Sequence, residues 1–420
     1  MTINRLKAGV AELEITGKIG LELAAELNPR VSKGVRTPLM AKALVLSNGE
    51  ETLAVVTLDL FGLQSEAADR LAQAIGERCG LKPEGVMLVC SHTRGAPYTT
   101  PLVGWPGVHE DYLARVIAKV PEVVGLAQKG LQDASLGVGH VILPHLVFNH
   151  RLMTRNMKAI TAWLGVPKNE VLGPEGPSDP EFSVFVIRDS RGFPFCLLWN
   201  FAADNRFSQD DQMSADLPYY VQQELDERLG RHVPGLYLAG CGGNVSFTHG
   251  LEASVDGVVS GVMAAQMETP CDPLIKLACA QEKMVLPIRD YSRFWSQADV
   301  ELKAPQAVEA YAQEVELLQK EGAQAVSAKV QVFRLGRFAL VGLSGMPFVE
   351  FALDIKGKSP AQATLVVGNV NGHLGYVVTR QAFEDEGFEA WPARSAKVGP
   401  GGGEFMAEEA VSLLGALWRV

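Results

Sequence analysis

The stretch TLAVVTLDLFGLQSEAADRLAQAIGERCGLKPEGVMLVC, residues 52–90, reads as one β-α-β unit. Residues 52–60 are a continuous apolar, β-branched run, the pattern of a strand covered on both faces. Residues 64–78 set Leu71, Ala74 and Ile75 on one helical face and charges on the other. The apolar run at 85–90 supplies the second strand. This order predicts a right-handed crossover in a parallel or mixed sheet. The fold class expected is therefore α/β, a large mixed-sheet domain with flanking helices.

Working outward, residues 109–130 have helical spacing of Leu113, Val116, Ile117 and Val120, with Pro121 expected to break or kink the helix. Residues 150–182 are polar and rich in Gly, Pro and Asn, and read as a long loop with at most a short helix. Residues 183–188 and 195–201 read as a hairpin turning at Asp189 to Gly192. A helix at 216–230, a strand at 235–239 and a helix at 251–266 follow. Beyond Pro270 come a strand at 277–287, a charged helix at 305–321, and strands at 328–334 and 337–343. With no linker and no internal repeat, one domain over residues 1–420 is expected, with a sub-lobe from about residue 270 as the alternative.

Composition narrows the partners. A net charge of −10 argues against nucleic acid or an anionic membrane. No window approaches the length of a membrane-spanning helix, and MTINRLKAGVAELEITGKIG lacks a signal-peptide core, so the cytoplasm is the expected compartment. The six cysteines contain no C-x-x-C pair and read as buried free thiols. A homo-oligomer is left open.

Four polar clusters directly follow apolar strands: Cys90 to Arg94, Asn200 to Asn205, Gly240 to Ser246, and Ser344 to Pro347. In open α/β sheets ligands bind at the carboxyl ends of strands, so these clusters are expected to form one site. Each has a plainer reading. His92 could be a core histidine bonded to a carbonyl, Gly242-Gly243 a tight turn, Asp204 a loop carboxylate, and Ser246 a helix cap.

At these same residues the chain resembles the neutral/alkaline ceramidase family. Residues 36–46, RTPLMAKALVL, resemble the family's DPLYAKALVL; SHTRGAP at 91–97 resembles THTHSGP; GPSDPE at 176–181 resembles GPIDPE. FAAD at 201–204 sits where the family has F-A-x-H, and GNVS at 243–246 resembles GDVSP. SGMPFVE at 344–350 resembles PGEPFVE, and GHLGYVVTRQAF at 372–383 resembles a late tyrosine-bearing segment. The resemblance implies the family's catalytic-domain fold without its C-terminal β-domain, and a zinc hydrolase in which His92 and Tyr376 are metal ligands and Ser246 lies at the scissile amide.

The pattern then departs. Arg94 and Asp204 stand where zinc-binding histidines are expected, Met346 replaces a glutamate ligand, Asn244 an aspartate, and Phe388 a tyrosine. A thioether and a guanidinium both oppose a divalent cation. A metal-free pocket is therefore expected, with Asp204 paired to Arg94 or Arg206; zinc on His92, Asp204 and Tyr376 is the alternative. The expected catalytic set is His92, Asp204, Ser246, Asn244 and Tyr376. Substrate is expected to meet Arg94, Arg151, Arg155, Arg206, Met346 and His373, with the Gly242 and Gly243 amides as an oxyanion site. The loop at 97–108 has lid-like content, and the basic segment at 149–158 is expected to wall the pocket. Together these imply a hydrolase of a C–N bond in a small polar, anionic molecule. A metal-independent lyase or isomerase, and a silent binding protein, are the alternatives.

Overall fold

The computed structural model describes residues 4–24, 30–104, 107–267, 269–290, 307–323 and 325–419. Among them, eight strands form one sheet in the order Gly235–Ala239, Pro194–Phe201, Glu181–Asp189, Gln132–Ile142, Lys7–Glu14, Met40–Ser47, Thr52–Leu58 and Val86–Cys90. The β-α-β unit forms as read: Thr52–Leu58 and Val86–Cys90 run parallel, joined through the helix Ser65–Cys79. Gly80 ends that helix in the left-handed region at φ 69°, where a side chain would be strained. At the far edge, Pro194–Phe201 and Gly235–Ala239 are also parallel, with helix Leu217–Leu229 between them. The remaining pairs in this sheet are antiparallel.

A second sheet holds Leu277–Pro287, Ala325–Leu335, Phe338–Leu343 and Ala363–Val367, the last two parallel. The two sheets share one apolar layer: Leu44, Leu53, Phe185 and Leu198 pack with Phe333, Leu340 and Leu365. The change of pattern after residue 270 is thus a second sheet laid on the first. Helices Ser65–Cys79 and Glu110–Lys129 pack on the first sheet, as do Leu217–Leu229 and Leu251–Met267. Val349–Lys358 and Gly402–Trp418 pack on the second.

Three parallel strand pairs therefore end together. The segment Gly368–His373 stitches those ends: Gly368 N–H donates to Ala239 O, Asn371 N–H to Leu88 O, and the Asn369 carbonyl accepts from Cys90 N–H. Asn369 and Asn371 adopt φ 55° and 53°, a region asparagine tolerates because its amide bonds locally. Asn371 accepts from Leu88 N–H at 3.0 Å and donates to Gln331 Oε1 at 2.7 Å.

Several expectations change. Glu110–Lys129 is one helix running through the buried Pro121 rather than breaking there. Residues 150–182 are not a loop: Ala159–Thr161, Arg151–Thr154 and Val171–Pro174 form a three-stranded sheet, too short and polar to show alternation in the sequence. The charged helix is Val308–Glu321, its expected start at 305–306 lying outside the described residues. All six cysteines are free, four of them buried. No helix among the described residues is long and apolar enough to cross a membrane.

Leu340 is fully buried between the sheets. Leu340→Ala is expected to cost about 2–5 kcal/mol. Urea unfolding followed by circular dichroism should show that loss as a lower midpoint of one cooperative transition. Two separated transitions would contradict a shared core.

Candidate functional site

His92 lies two residues beyond strand Val86–Cys90, in the left-handed region at φ 60°. Its N–H donates to Leu60 O, and its Nδ1 donates to Phe61 O at 2.9 Å. That bond fixes the tautomer and leaves Nε2 bare. Nε2 lies 3.9 Å from Asp204 Oδ1, and Arg94 lies 3.8 Å from Asp204 Oδ2. Burial pushes the His92 pKa down to about 4; the Asp204 carboxylate opposes that and Arg94 reinforces it. His373 stacks 5.9 Å from His92, and burial with its neighbour imidazole takes it to about 3. Both rings are neutral at physiological pH. Burial, then Asp204, raises the Tyr376 phenol, keeping it protonated.

These groups face a cavity of about 690 Å³, lined by His92, Arg94, Arg206, Met346, His373 and Tyr376. A third guanidinium, Arg30, joins them, and Trp163, Tyr311, Phe388 and Trp391 form an aromatic wall. No described lining residue is a carboxylate. Asp204 sits behind, on a small adjoining space it shares with His92, Gly242 and Met346. Leu102 and Val103 of the lid-like loop also line the cavity; its residues 105–106 lie outside the described residues.

Other expected site residues have different work. Arg151 is fully buried and does not face the cavity: it forms ion pairs with Glu175 and Glu389, the latter at 2.6 Å. Burial would expel an isolated guanidinium, and these two carboxylates hold it inside. Arg155 donates to Asn169 O at 2.8 Å in an exposed contact, away from the cavity lining. The Gly242 and Gly243 amides are not an oxyanion site, since they donate to Gly240 O and Pro347 O. Their missing side chains serve close packing: a Cβ on Gly242 would fall 2.7 Å from the Ala203 backbone, and one on Gly243 2.5 Å from Met346 O. Asn244 is structural: Oδ1 accepts from Val349 N–H at the start of helix Val349–Lys358, while Nδ2 donates to Glu350 Oε2 at 2.8 Å. An aspartate there would set two carboxylates together. Ser246 is outside the cavity lining and bonds to His150 instead.

Sequence reasoning missed Phe61, Trp163, Tyr311 and Trp391 in the wall, Arg30 in the lining, and Asn369, which donates to Phe61 O at 2.7 Å. It also missed Glu389, which nothing in GFEAW distinguishes from a surface acid.

The residues fit a zinc ion poorly. His92 Nε2 and the Asp204 carboxylate, whose oxygens accept no hydrogen bond among the described residues, are two apt donors. Beyond these two, Met346 offers only a thioether, and Arg94 already attends Asp204. No group of three or more His, Cys, Asp or Glu positioned to hold a metal occurs among the described residues.

Compared with solved structures, the chain is similar to neutral ceramidase from Pseudomonas aeruginosa, with a TM-score of 0.75 and 15% sequence identity over 99% of this chain and 74% of that one. It is also similar to a ceramidase complexed with C2, with a TM-score of 0.76 and 15% identity over 99% of this chain and 76% of that one. No protein-family model and no curated protein sequence matches the chain. The fold is thus neutral-ceramidase-like, a mixed α/β architecture shared over 99% of this chain.

The depressed histidines set a pH dependence. Their unfolded pKa is about 6.5. Their contribution is complete above that value and is lost as pH falls through about 4 for His92 and about 3 for His373. Asp59, raised by burial to about 6, works in the opposite direction, so one histidine is best isolated by mutation. In His373→Gln the stability-versus-pH curve from urea titrations should be shallower by up to about 1.4 kcal/mol per pH unit between roughly pH 6 and 4. Identical slopes would show that His373 is not buried neutral.

Proposed function

We propose that this protein is a hydrolase of an amide-type C–N bond in a small anionic substrate with an apolar or aromatic part, working without a metal. One observation carries the substrate class: three guanidinium side chains, Arg94, Arg206 and Arg30, line a single cavity with aromatic walls. A guanidinium is permanently charged and forks onto carboxylate or phosphate. The neutral His92, anchored through Nδ1, presents Nε2 as a base for a water attacking the carbonyl. Asp204 stabilises the imidazolium as it forms. The ceramidase-like fold supports amide hydrolysis as the reaction.

A second reading is lyase or isomerase chemistry through the same His92 and Asp204, in which the bare Nε2 of His92 takes a proton from substrate rather than from water. Product analysis in oxygen-18 water separates the two: hydrolysis places one heavy oxygen in the acid released, and proton transfer places none.

A thermal-shift screen of small carboxylates and phosphates tests the pocket. Aromatic carboxylates should stabilise the wild type more than aliphatic ones. Arg94→Ala should weaken their binding by about 1.5–3 kcal/mol, the range for hydrogen bonds to charged groups, and Arg94→Lys should recover part. Equal stabilisation of wild type and Arg94→Ala would move the anion elsewhere. Metal analysis of the purified protein tests the other half: one zinc per chain, lost in His92→Ala, would overturn the metal-free reading.

A further inference from the structure

The small space behind His92 is a chamber of about 10 Å³, room for one water-sized molecule. His92 and Met346 line both this chamber and the large cavity, so the two spaces meet at these side chains. Gly240, Gly242, Gly345 and Gly368 supply much of the chamber wall. A Cβ on Gly240 would fall 2.7 Å from Phe201 O, and one on Gly345 2.9 Å from Gly375 O, so these glycines are pressed against neighbouring backbone. Backbone cannot swing aside as a side chain can. Met346 is the one long flexible side chain among the described lining residues.

The chamber offers acceptors and few donors. Asp204 is its anion: the side chain is 1% exposed, and neither oxygen accepts a hydrogen bond among the described residues. His92 Nε2 at 3.9 Å and Arg94 at 3.8 Å lie beyond hydrogen-bond reach of it. The bare Nε2 of His92 is a further acceptor. The lining N–H groups are already committed. Those of Gly240, Gly242, Gly345 and Gly368 donate to the carbonyls of Phe201, Gly240, Gly372 and Ala239. The side-chain amide of Asn369 donates to Phe61 O, and that of Asn205 to Ser91 O. A buried carboxylate without donors is costly, so the group that suits this chamber is small, rich in N–H and able to carry positive charge. A carbonyl oxygen or an anion would meet acceptors there.

We propose that this chamber is the subsite for the scissile nitrogen, so that the substrate is a primary amide and its nitrogen leaves as ammonia. This rests on the hydrolase reading above, with His92 as base for the attacking water. The acyl half, carrying the anionic and aromatic parts, lies in the large cavity, with the carbonyl carbon at His92. Water adds to that carbon as its proton passes to His92 Nε2. The carbonyl π pair moves to oxygen and returns as the C–N bond breaks, and the nitrogen leaves with the proton from Nε2. Ammonia then takes the proton of the new acid and pairs, as ammonium, with Asp204. The net change is primary amide plus water to carboxylate plus ammonium. A carbon substituent on the nitrogen would have to enter the backbone walls, which sets the specificity.

Ammonium chloride probes the subsite directly. At matched ionic strength it should raise the wild-type Tm more than potassium, lithium or tetramethylammonium chloride does. Asp204→Asn, checked for folding by circular dichroism, should lose that difference. A panel of carboxylate-bearing aromatic primary amides, each paired with its N-methyl and N-benzyl amides, tests the substrate by acid released. The primary amide should be cleaved at least about 10-fold faster than its N-methyl partner, the order expected for overpacking a rigid space. The N-benzyl amide should not be cleaved, and folded Met346→Ala should narrow the N-methyl gap. An ammonium effect no larger than that of lithium, or equalled by potassium, would overturn the subsite. N-benzyl amides cleaved as fast as primary ones would overturn it too, while leaving the hydrolase reading intact. An ammonium effect lost in Asp204→Asn, with no amide cleaved, would sink the hydrolase reading and leave the ammonium subsite standing.

Discussion

The arrangement depends on one constraint: the carboxyl ends of three parallel strand pairs must meet. Two pairs lie at opposite edges of the eight-stranded sheet and the third lies in the second sheet. They meet because the sheet curls until its edge strands approach each other, and because Gly368–His373 bonds to all three. Asn205 Nδ2 donating to Ser91 O, 3.2 Å across that junction, ties the loop after one edge strand to the loop after the other. His92, Asp204 and Met346, far apart in sequence, are neighbours only through this closure.

Electrostatics at the junction follow from dryness. His92, with its depressed pKa, contributes no charge at neutral pH, so Asp204 is the anion and Arg94 the nearby cation. The same logic, more tightly bonded, operates at Arg151, Glu175 and Glu389. Removing the arginine from either group would leave buried carboxylate charge without its cation. The two clusters are linked by rings: Arg206 lies 4.2 Å over Trp163, and Trp163 meets both His150 and Phe388 edge-on.

The strands were legible where burial on both faces writes itself as a β-branched run, as in residues 52–58 and 86–90. The short strands of 151–174 were not, since three or four residues carry no period. In the site, the Arg94–Asp204 pairing could be anticipated because a buried guanidinium demands a nearby carboxylate. The partners of Arg151 could not, since Glu175 and Glu389 lie 24 and 238 positions away. Gly242-Gly243 misled for a physical reason: glycine that frees an amide for a ligand and glycine that lets two backbones touch look identical in sequence.

The departures from the ceramidase pattern also make local sense together. Arg94 stands beside Asp204, matching a cation to the carboxylate that replaces a neutral ligand. Asn244 uses both ends of its amide, one toward Val349 N–H and one toward Glu350, a pairing that the family's aspartate could not make. Glu350 is itself raised by burial and would not tolerate a second carboxylate at that distance. Here Arg94 and Asn244 are each matched to their neighbours, Asp204 in one case and Val349 N–H with Glu350 in the other.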